Sequence, residues 1–229
     1  DFQLSAPILN AINELGYQKP SDIQAQAIPV LLAEPTDFIG QAATGTGKTA
    51  AFLIPIINKI FRDKSQKALI ITPTRELAVQ IRSELTSFAT GMGVYSSLAI
   101  GGENIRRQIS DLNRRPHVVI GTPGRIRDLI ERKVLRLEEF RTIVLDEFDL
   151  MVDIGFIHDV KYFISLLPQV RQSLFFSATI PPKVKELLNA FVTNAPFASV
   201  TDTVKLLVPD KVGVPLIIPV VPASVRPAG

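Results

Sequence analysis

The chain has 229 residues, enough for one large domain or one domain with a tail. Hydrophobic residues make up 46% and charged residues 21%, which excludes global disorder. There is no Cys and only two His, so a disulfide framework, a thiolate metal site, a cysteine nucleophile and a histidine cage are all excluded. A cysteine-free chain suits a reducing, intracellular setting, with the cytoplasm as the expected place and the nucleus left open. The formal net charge is only +3, but between Arg106 and Arg141 ten Lys or Arg face five Asp or Glu, and nine of the ten are Arg. Arg suits forked recognition of phosphate, although a solvated helical face explains the same run. No segment has the roughly 18 consecutive apolar residues of a membrane span, and the N-terminus lacks the pattern of a signal peptide.

In chain order, Ser5-Ala-Pro offers an N-cap and an early Pro for a first helix, and Ser21 starts a second that runs to about Leu32. Six short Ile/Val-rich runs then predict strands: 37–41, 68–72, 94–100, 117–121, 142–146 and 173–177. Several are apolar at consecutive positions, the pattern of strands buried on both faces of a parallel sheet. Between them lie stretches of helical period. Residues 49–61 place Phe52, Ile56, Ile57 and Ile60 on one stripe, 75–89 place Leu77, Ile81, Leu85 and Phe88 on another, and 182–191 place Val184, Leu187, Leu188 and Phe191 on a third. The alternation predicts an α/β fold, a mostly parallel sheet with helices on both faces, whose ligands bind beyond the carboxyl ends of the strands. From Pro209 to Gly229 there are five Pro and five Val and no helical period, which predicts an extended, polyproline-like tail.

After the first strand comes Ala42-Ala-Thr-Gly-Thr-Gly-Lys-Thr49. Gly45 and Gly47 allow a tight turn that presents backbone N–H groups to an anion, and the next helix begins there. Lys48 can reach the β- and γ-phosphates of a nucleotide, and Thr49 can place its hydroxyl on Mg²⁺. The fifth strand ends in Asp146-Glu-Phe-Asp149. An acid at that strand tip is the usual partner of a phosphate loop, with Asp146 in the Mg²⁺ shell and Glu147 beside it to orient or deprotonate the attacking water.

Together with several others, these motifs are similar to the N-terminal RecA-like half of DEAD-box RNA helicases, from about Leu4 to about Val200. The resemblance implies a RecA-like P-loop domain over 1–203, with a Pro/Val-rich tail at 204–229. Gly16 to Gln24 resembles the Q motif. It implies that Gln24 pairs with the adenine edge and that Tyr17 stacks on the ring, with Lys19 and Pro20 beside them. Ala43, Thr44, Gly45, Thr46, Gly47, Lys48 and Thr49 resemble motif I, and with Ala50 they imply the phosphate cradle. Pro73, Thr74 and Arg75 resemble motif Ia, Gly101 and Gly102 the GG motif, and Thr122, Pro123, Gly124 and Arg125 motif Ib. In the family these touch the sugar–phosphate backbone of single-stranded RNA, a role that needs phosphate donors but no reading of base sequence. Ser177-Ala-Thr179 resembles motif III, which implies a bond to Asp149 that couples nucleotide state to the grip on RNA. The implied cofactors are ATP and Mg²⁺. The implied partners are single-stranded or short duplex RNA and a second RecA-like domain. The implied activity is ATP hydrolysis coupled to unwinding or remodelling of RNA.

Three departures stand out. Phe148 occupies the place where the family has Ala, so a ring must be housed beside the two acids. The isolated aromatic that the family carries upstream of the Q motif would fall before Asp1. The second RecA-like half, with its arginine fingers, is not in these 229 residues, so the chain alone is expected to hydrolyse ATP weakly or not at all. Two other readings compete: a P-loop motor acting on DNA, which Gln24 and the Thr-Pro-Gly-Arg loop argue against, and a nucleotide-binding module without turnover.

Overall fold

The computed structural model describes residues 2–33, 37–193, 199–200, 216–219 and 222–223. Two helices come first, α1 (Ala6–Glu14) and α2 (Asp22–Leu32). Strands and helices then alternate: β1 (Phe38–Gln41), α3 (Lys48–Arg62), β2 (Ala68–Ile71), α4 (Arg75–Phe88), β3 (Ser96–Ala99), α5 (Ile105–Asn113), β4 (Val118–Gly121) and α6 (Pro123–Glu131). A short 3₁₀ turn, Leu137–Glu139, leads to β5 (Thr142–Leu145), α7 (Phe148–Ile154), α8 (Ile157–Leu166), β6 (Gln172–Ser177) and α9 (Pro182–Thr193). The pairs β7 (Ser199–Val200) and β9 (Pro222–Ala223) form a separate two-stranded ladder, and β8 (Leu216–Pro219) joins the main sheet.

The main sheet runs β3-β4-β2-β5-β6-β1-β8. The first six of these strands are parallel, and β8 lies antiparallel on the edge of β1. All six strands predicted from the apolar runs are present. The consecutive apolar residues divide between two cores, as burial on both faces requires. Ala68 and Ile70 join the core under α1 to α4, while Leu69 and Ile71 join the core under α6 to α9. The predicted helices at 49–61, 75–89 and 182–191 correspond to α3, α4 and α9. Helices α5, α6, α7 and α8 were not among the helices expected from the sequence.

The tail expectation needs adjustment. Within 204–229 the described residues include Leu216–Pro219, which pair in the sheet as β8 rather than standing apart in polyproline form, with Ile218 opposite Ile39. An open edge of β1 offers unpaired N–H and C=O groups, and an apolar Leu-Ile-Ile run has the β-propensity to take them up. Pro222–Ala223 of the same segment pair with Ser199–Val200, and its remaining residues lie outside the described ones.

Because the six strands are parallel, their carboxyl ends share one edge. The phosphate loop follows β1, Pro73–Arg75 follow β2, Gly101–Gly102 follow β3, Thr122–Arg125 follow β4, Asp146–Asp149 follow β5 and Thr179 follows β6. Topology therefore gathers motifs spread over more than a hundred residues of sequence onto one edge.

Candidate active site

The phosphate loop crosses from β1 to α3 with Ala43, Thr44, Gly45 and Thr46 exposed. Gly45 and Gly47 have φ of 82° and 90°, in the left-handed region where a side chain is strained. Thr46 Oγ1 donates to the Ala43 carbonyl at 2.7 Å, which closes the loop on itself. Lys48 opens α3 and is buried, and its Nζ donates to the Ala42 carbonyl at 2.8 Å. Thr49 is half-buried and Ala50 buried behind it.

Gln24 lies in the first turn of α2 and is 6% exposed. Its Oε1 accepts from the Ser21 backbone N–H at 3.0 Å, and its Nε2 donates to the Gly47 carbonyl at 3.1 Å. A Cβ on Gly47 would collide with Gln24 Nε2, so this position of the loop has no room for a side chain. The carboxamide assigned to an adenine edge thus also braces the phosphate loop. An amide offers two N–H donors and two lone pairs, so one of each remains for a ligand. Tyr17 is 40% exposed, and its ring packs on Phe88 with centroids 5.6 Å apart. Lys19 and Pro20 are exposed in the connection to α2.

Asp146 ends β5 and is 4% exposed. Burial pushes its carboxyl up to about 6, against the pull of Lys48, and the neighbouring Glu147 adds to the rise. The folded value lies above the ordinary 3.8, so this group favours the fold most below about pH 4. That contribution is lost as pH climbs through about 6, and at pH 7.5 the ionised, buried carboxylate is a load on the fold. Asp146→Asn is therefore expected to raise stability at pH 7.5, without divalent cations, by on the order of 1–3 kcal/mol. The gain should vanish by about pH 4. Thermal melts of both proteins across that range check it, and a pH-independent difference would mean that Asp146 is not held in this environment.

Glu147 adopts φ 52° and ψ 50°, a left-handed conformation that a non-glycine residue holds at a cost of order 1–3 kcal/mol. Its N–H donates to Asp146 Oδ1 at 3.1 Å. Phe148, the departure from the family pattern, does not crowd the acids. Its ring is fully buried in the core under α6 to α9, edge-on to Phe175 at 5.5 Å and to Phe191 of α9 at 6.2 Å. Asp149 accepts from the Thr179 N–H at 2.9 Å and from Thr179 Oγ1 at 2.7 Å, and its own N–H donates to Ser177 Oγ at 3.2 Å. Partial burial pushes the Asp149 carboxyl up, but hydrogen bonds from Thr179 and Ser177 hold it below its ordinary value.

Further along the edge, Thr74 caps α4 by accepting from the Leu77 N–H at 3.3 Å. Arg75 is exposed, and its guanidinium lies where a Cβ on Gly102 (φ 74°) would have to sit, so these two loops meet. Pro73 is buried, and Gly101 is half-buried. Pro123 is the buried first residue of α6, with Thr122 before it and Gly124 exposed after it. Arg125 is mostly buried. It donates to Gln108 Oε1 at 3.0 Å and lies 3.7 Å from Asp128. Gln108 was missed in the sequence. It is 4% exposed on α5, and its Nε2 donates to the Ile100 carbonyl at 2.9 Å, so one side chain ties the Gly101–Gly102 loop to Arg125. Its only signal was a polar residue on the inward stripe of a short helix. The Arg-rich run is partly the solvated face considered above, since Arg127 pairs with Glu131 and Asp159, and Arg132 with Asp128.

Comparison with known proteins agrees with this geometry. The family described as DEAD/DEAH box helicase matches residues 21–187. The chain is 45% identical over 195 residues to a DEAD-box ATP-dependent RNA helicase CshA of Bacillus licheniformis, covering 85% of this chain and 40% of that protein. It is 42% identical over 203 residues to the RNA helicase CrhR of a Synechocystis species, covering 89% and 41%. The chain thus spans about two fifths of the length of these relatives. Among solved structures, a DEAD box protein from the hyperthermophile Methanococcus jannaschii superposes with a TM-score of 0.78 at 39% identity, over 84% of this chain and 53% of that one. With the sheet order, the phosphate loop and the acidic strand end in agreement, the chain belongs to the DEAD/DEAH box helicase family and carries its RecA-like fold.

Proposed function

We propose that this chain is the ATP-binding half of an ATP-dependent RNA helicase. The observation that carries the reading is the convergence, on one sheet edge, of a glycine-turned loop, the buried Lys48 and the buried carboxyl of Asp146. A nest of N–H groups at the start of α3 suits phosphate oxygens, and Lys48 adds a charge. Among the described residues no three acidic or imidazole side chains converge as a metal cage. That suits Mg²⁺, which keeps several waters and takes one or two protein ligands together with substrate phosphates. Thr49 and Asp146 would supply those ligands, and the cation would offset the charge that burial makes costly at Asp146. Bound Mg²⁺ neutralises charge on the transferring phosphoryl group. Glu147 would orient the attacking water and take its proton. The network of Asp149, Ser177 and Thr179 would link the end of β5 to the end of β6 and so relay nucleotide state.

The loops of Pro73–Arg75, Gly101–Gly102 and Thr122–Arg125 would hold the RNA backbone. Exposed loop N–H groups, hydroxyls and Arg side chains there bind phosphate without reading sequence. A second RecA-like domain would complete the hydrolytic site and couple turnover to unwinding or remodelling. Relatives named as ATP-dependent RNA helicases support this reading.

Calorimetric binding of ADP, ATP and GTP with Mg²⁺ tests the nucleotide site. Adenine nucleotides are expected to bind the chain in preference to GTP, and Gln24→Ala to lose that preference. The same variant should also weaken ADP by about fivefold, because Gly47 loses its brace and a charge-free hydrogen bond contributes about 1 kcal/mol. Equal binding of ATP and GTP by the unmodified chain would remove adenine recognition from Gln24.

A further inference from the structure

The opposite edge of the sheet, where the strands begin, carries none of the motif residues yet has an order of its own. The residues just before β3, β4, β2, β5 and β6 are Tyr95, His117, Lys67, Arg141 and Arg171. The strand registers place them side by side: Ser96 with Val118, Val118 with Ala68, Ala68 with Thr142, and Thr142 with Gln172. At about 4.8 Å between strands they form a row of roughly 19 Å, aromatic at one end and cationic at the other.

The aromatic end is built for exposure. Tyr95 is 68% exposed, yet its ring is stacked on His117 with centroids 5.8 Å apart and planes 18° apart. Its N–H donates to His117 Nδ1 at 3.1 Å, which fixes the imidazole beneath it. Burial, then the charges of Lys64 and Lys67, keep His117 below its ordinary range, so the supporting ring is neutral at pH 7. One face of Tyr95 is therefore braced while the side chain as a whole stays open to solvent.

The cationic end is not balanced by its acids. Lys67 pairs with Glu139, but Glu139 also feels Arg115 and Arg136, both exposed, and the three cations together hold it below the ordinary carboxylate range. Lys64 donates to the Met92 and Gly93 carbonyls, which fixes its position without neutralising it. Arg141 likewise spends a hydrogen bond on the Val170 carbonyl at 3.3 Å. Of the other acids nearby, Asp37 accepts from the Ser173 N–H and offsets the charge of Arg171, and Asp111 lies 3.9 Å from Arg114, while Asp63, bound by Ser65 and Gln66, keeps its charge; Lys67, Arg115, Arg136 and Arg141 remain the cations that set the sign of this end.

We propose that this edge is a second binding surface for single-stranded RNA, with Tyr95 as a base-stacking platform and the adjoining Lys and Arg side chains as backbone-phosphate contacts. An open aromatic face next to fixed cations is the combination that holds single strands without reading sequence. Cations alone would suit any polyanion, and it is the braced ring that favours nucleic acid over an acidic protein. The choice of RNA rests on the helicase reading of the opposite edge. A strand gripped at both edges would be held across the body of the domain rather than by the motif loops alone.

The test is fluorescence anisotropy of labelled oligouridylate with the 229-residue chain, over a series of salt concentrations. Tyr95→Ala is expected to weaken binding roughly fivefold or more, and Tyr95→Phe to restore it. Arg115→Glu and Arg136→Glu should each reduce the steepness of the salt dependence by about one unit. All of these residues are surface groups, and unchanged melting curves confirm intact folding. If these variants bind like the parent while Arg125→Ala weakens binding, this surface is overturned and the RNA reading of the motif edge stands. If the chain binds no oligouridylate even at low salt, both are overturned. If polyglutamate binds and is lost in the same variants while oligouridylate is unaffected, the surface serves an acidic protein and the proposal falls.

Discussion

Glu147→Gln, in a protein that carries the second RecA-like domain, is expected to lower steady-state ATP hydrolysis about 10²–10⁴-fold while leaving ATP affinity nearly unchanged. The carboxamide is nearly isosteric with the carboxylate, so nothing in the packing changes. In the proposed role, what would be lost is the ability to accept a proton from the attacking water. The backbone argues for such a role independently of the motif. Glu147 is held at φ 52° between the buried Asp146 and the buried Phe148. Strain of that kind at a strand tip aims a side chain that the relaxed backbone would turn elsewhere. Lys48→Ala in the same protein should differ in kind, since in the proposed role it would remove a phosphate contact and so weaken nucleotide binding itself. Single-turnover rates and equilibrium binding, measured separately, distinguish the two effects. Normal turnover by Glu147→Gln would remove Glu147 from the chemistry.

Phe148→Ala is expected to destabilise the domain by about 3–5 kcal/mol, the usual cost of removing a fully buried phenylalanine ring. Phe148, Phe175 and Phe191 form one aromatic cluster, with Phe175 and Phe191 stacked at 5.9 Å. Each edge-to-face pair adds about 0.5–1.5 kcal/mol beyond the area it buries. Phe148→Ala and Phe191→Ala should therefore be non-additive in denaturant titrations, because the first mutation already loosens what the second removes. The position matters because Phe148 opens α7, directly between Glu147 and Asp149. Its ring points into the core, so the substitution tests stability and leaves the acids' side chains untouched. A loss below about 1 kcal/mol, or full additivity, would contradict the packing described for this cluster.

Some of this protein is determined by the sequence alone. Consecutive apolar residues such as Ala68 to Ile71 have the pattern of strands buried on both sides, and their alternation with amphipathic stretches points to a parallel sheet between two helical layers. The loop from Ala42 to Thr49 and the acids from Asp146 to Asp149 are local in sequence. Backbone sterics at Gly45 and Gly47 and the position of a strand tip are enough to locate them. Other features came only with the tertiary structure, because they depend on contacts between residues far apart in the chain. Gln24 stands out in the sequence only for its resemblance to an adenine-reading residue, and its brace on the phosphate loop appears when the fold brings Gly47 against it. Gln108 reads as an unremarkable polar residue until strand order places Ile100 and Arg125 on either side of it. A phenylalanine in place of alanine reads as a threat to the site until β6 and α9 supply Phe175 and Phe191 to enclose it away from the acids. The row from Tyr95 to Arg171 has no sequence period at all, since its five members are spaced by whole strand–helix units and become neighbours only through the order and register of the sheet. Short-range periodicity and turn chemistry are written along the chain, whereas side-chain partners and shared edges follow from how the sheet is assembled.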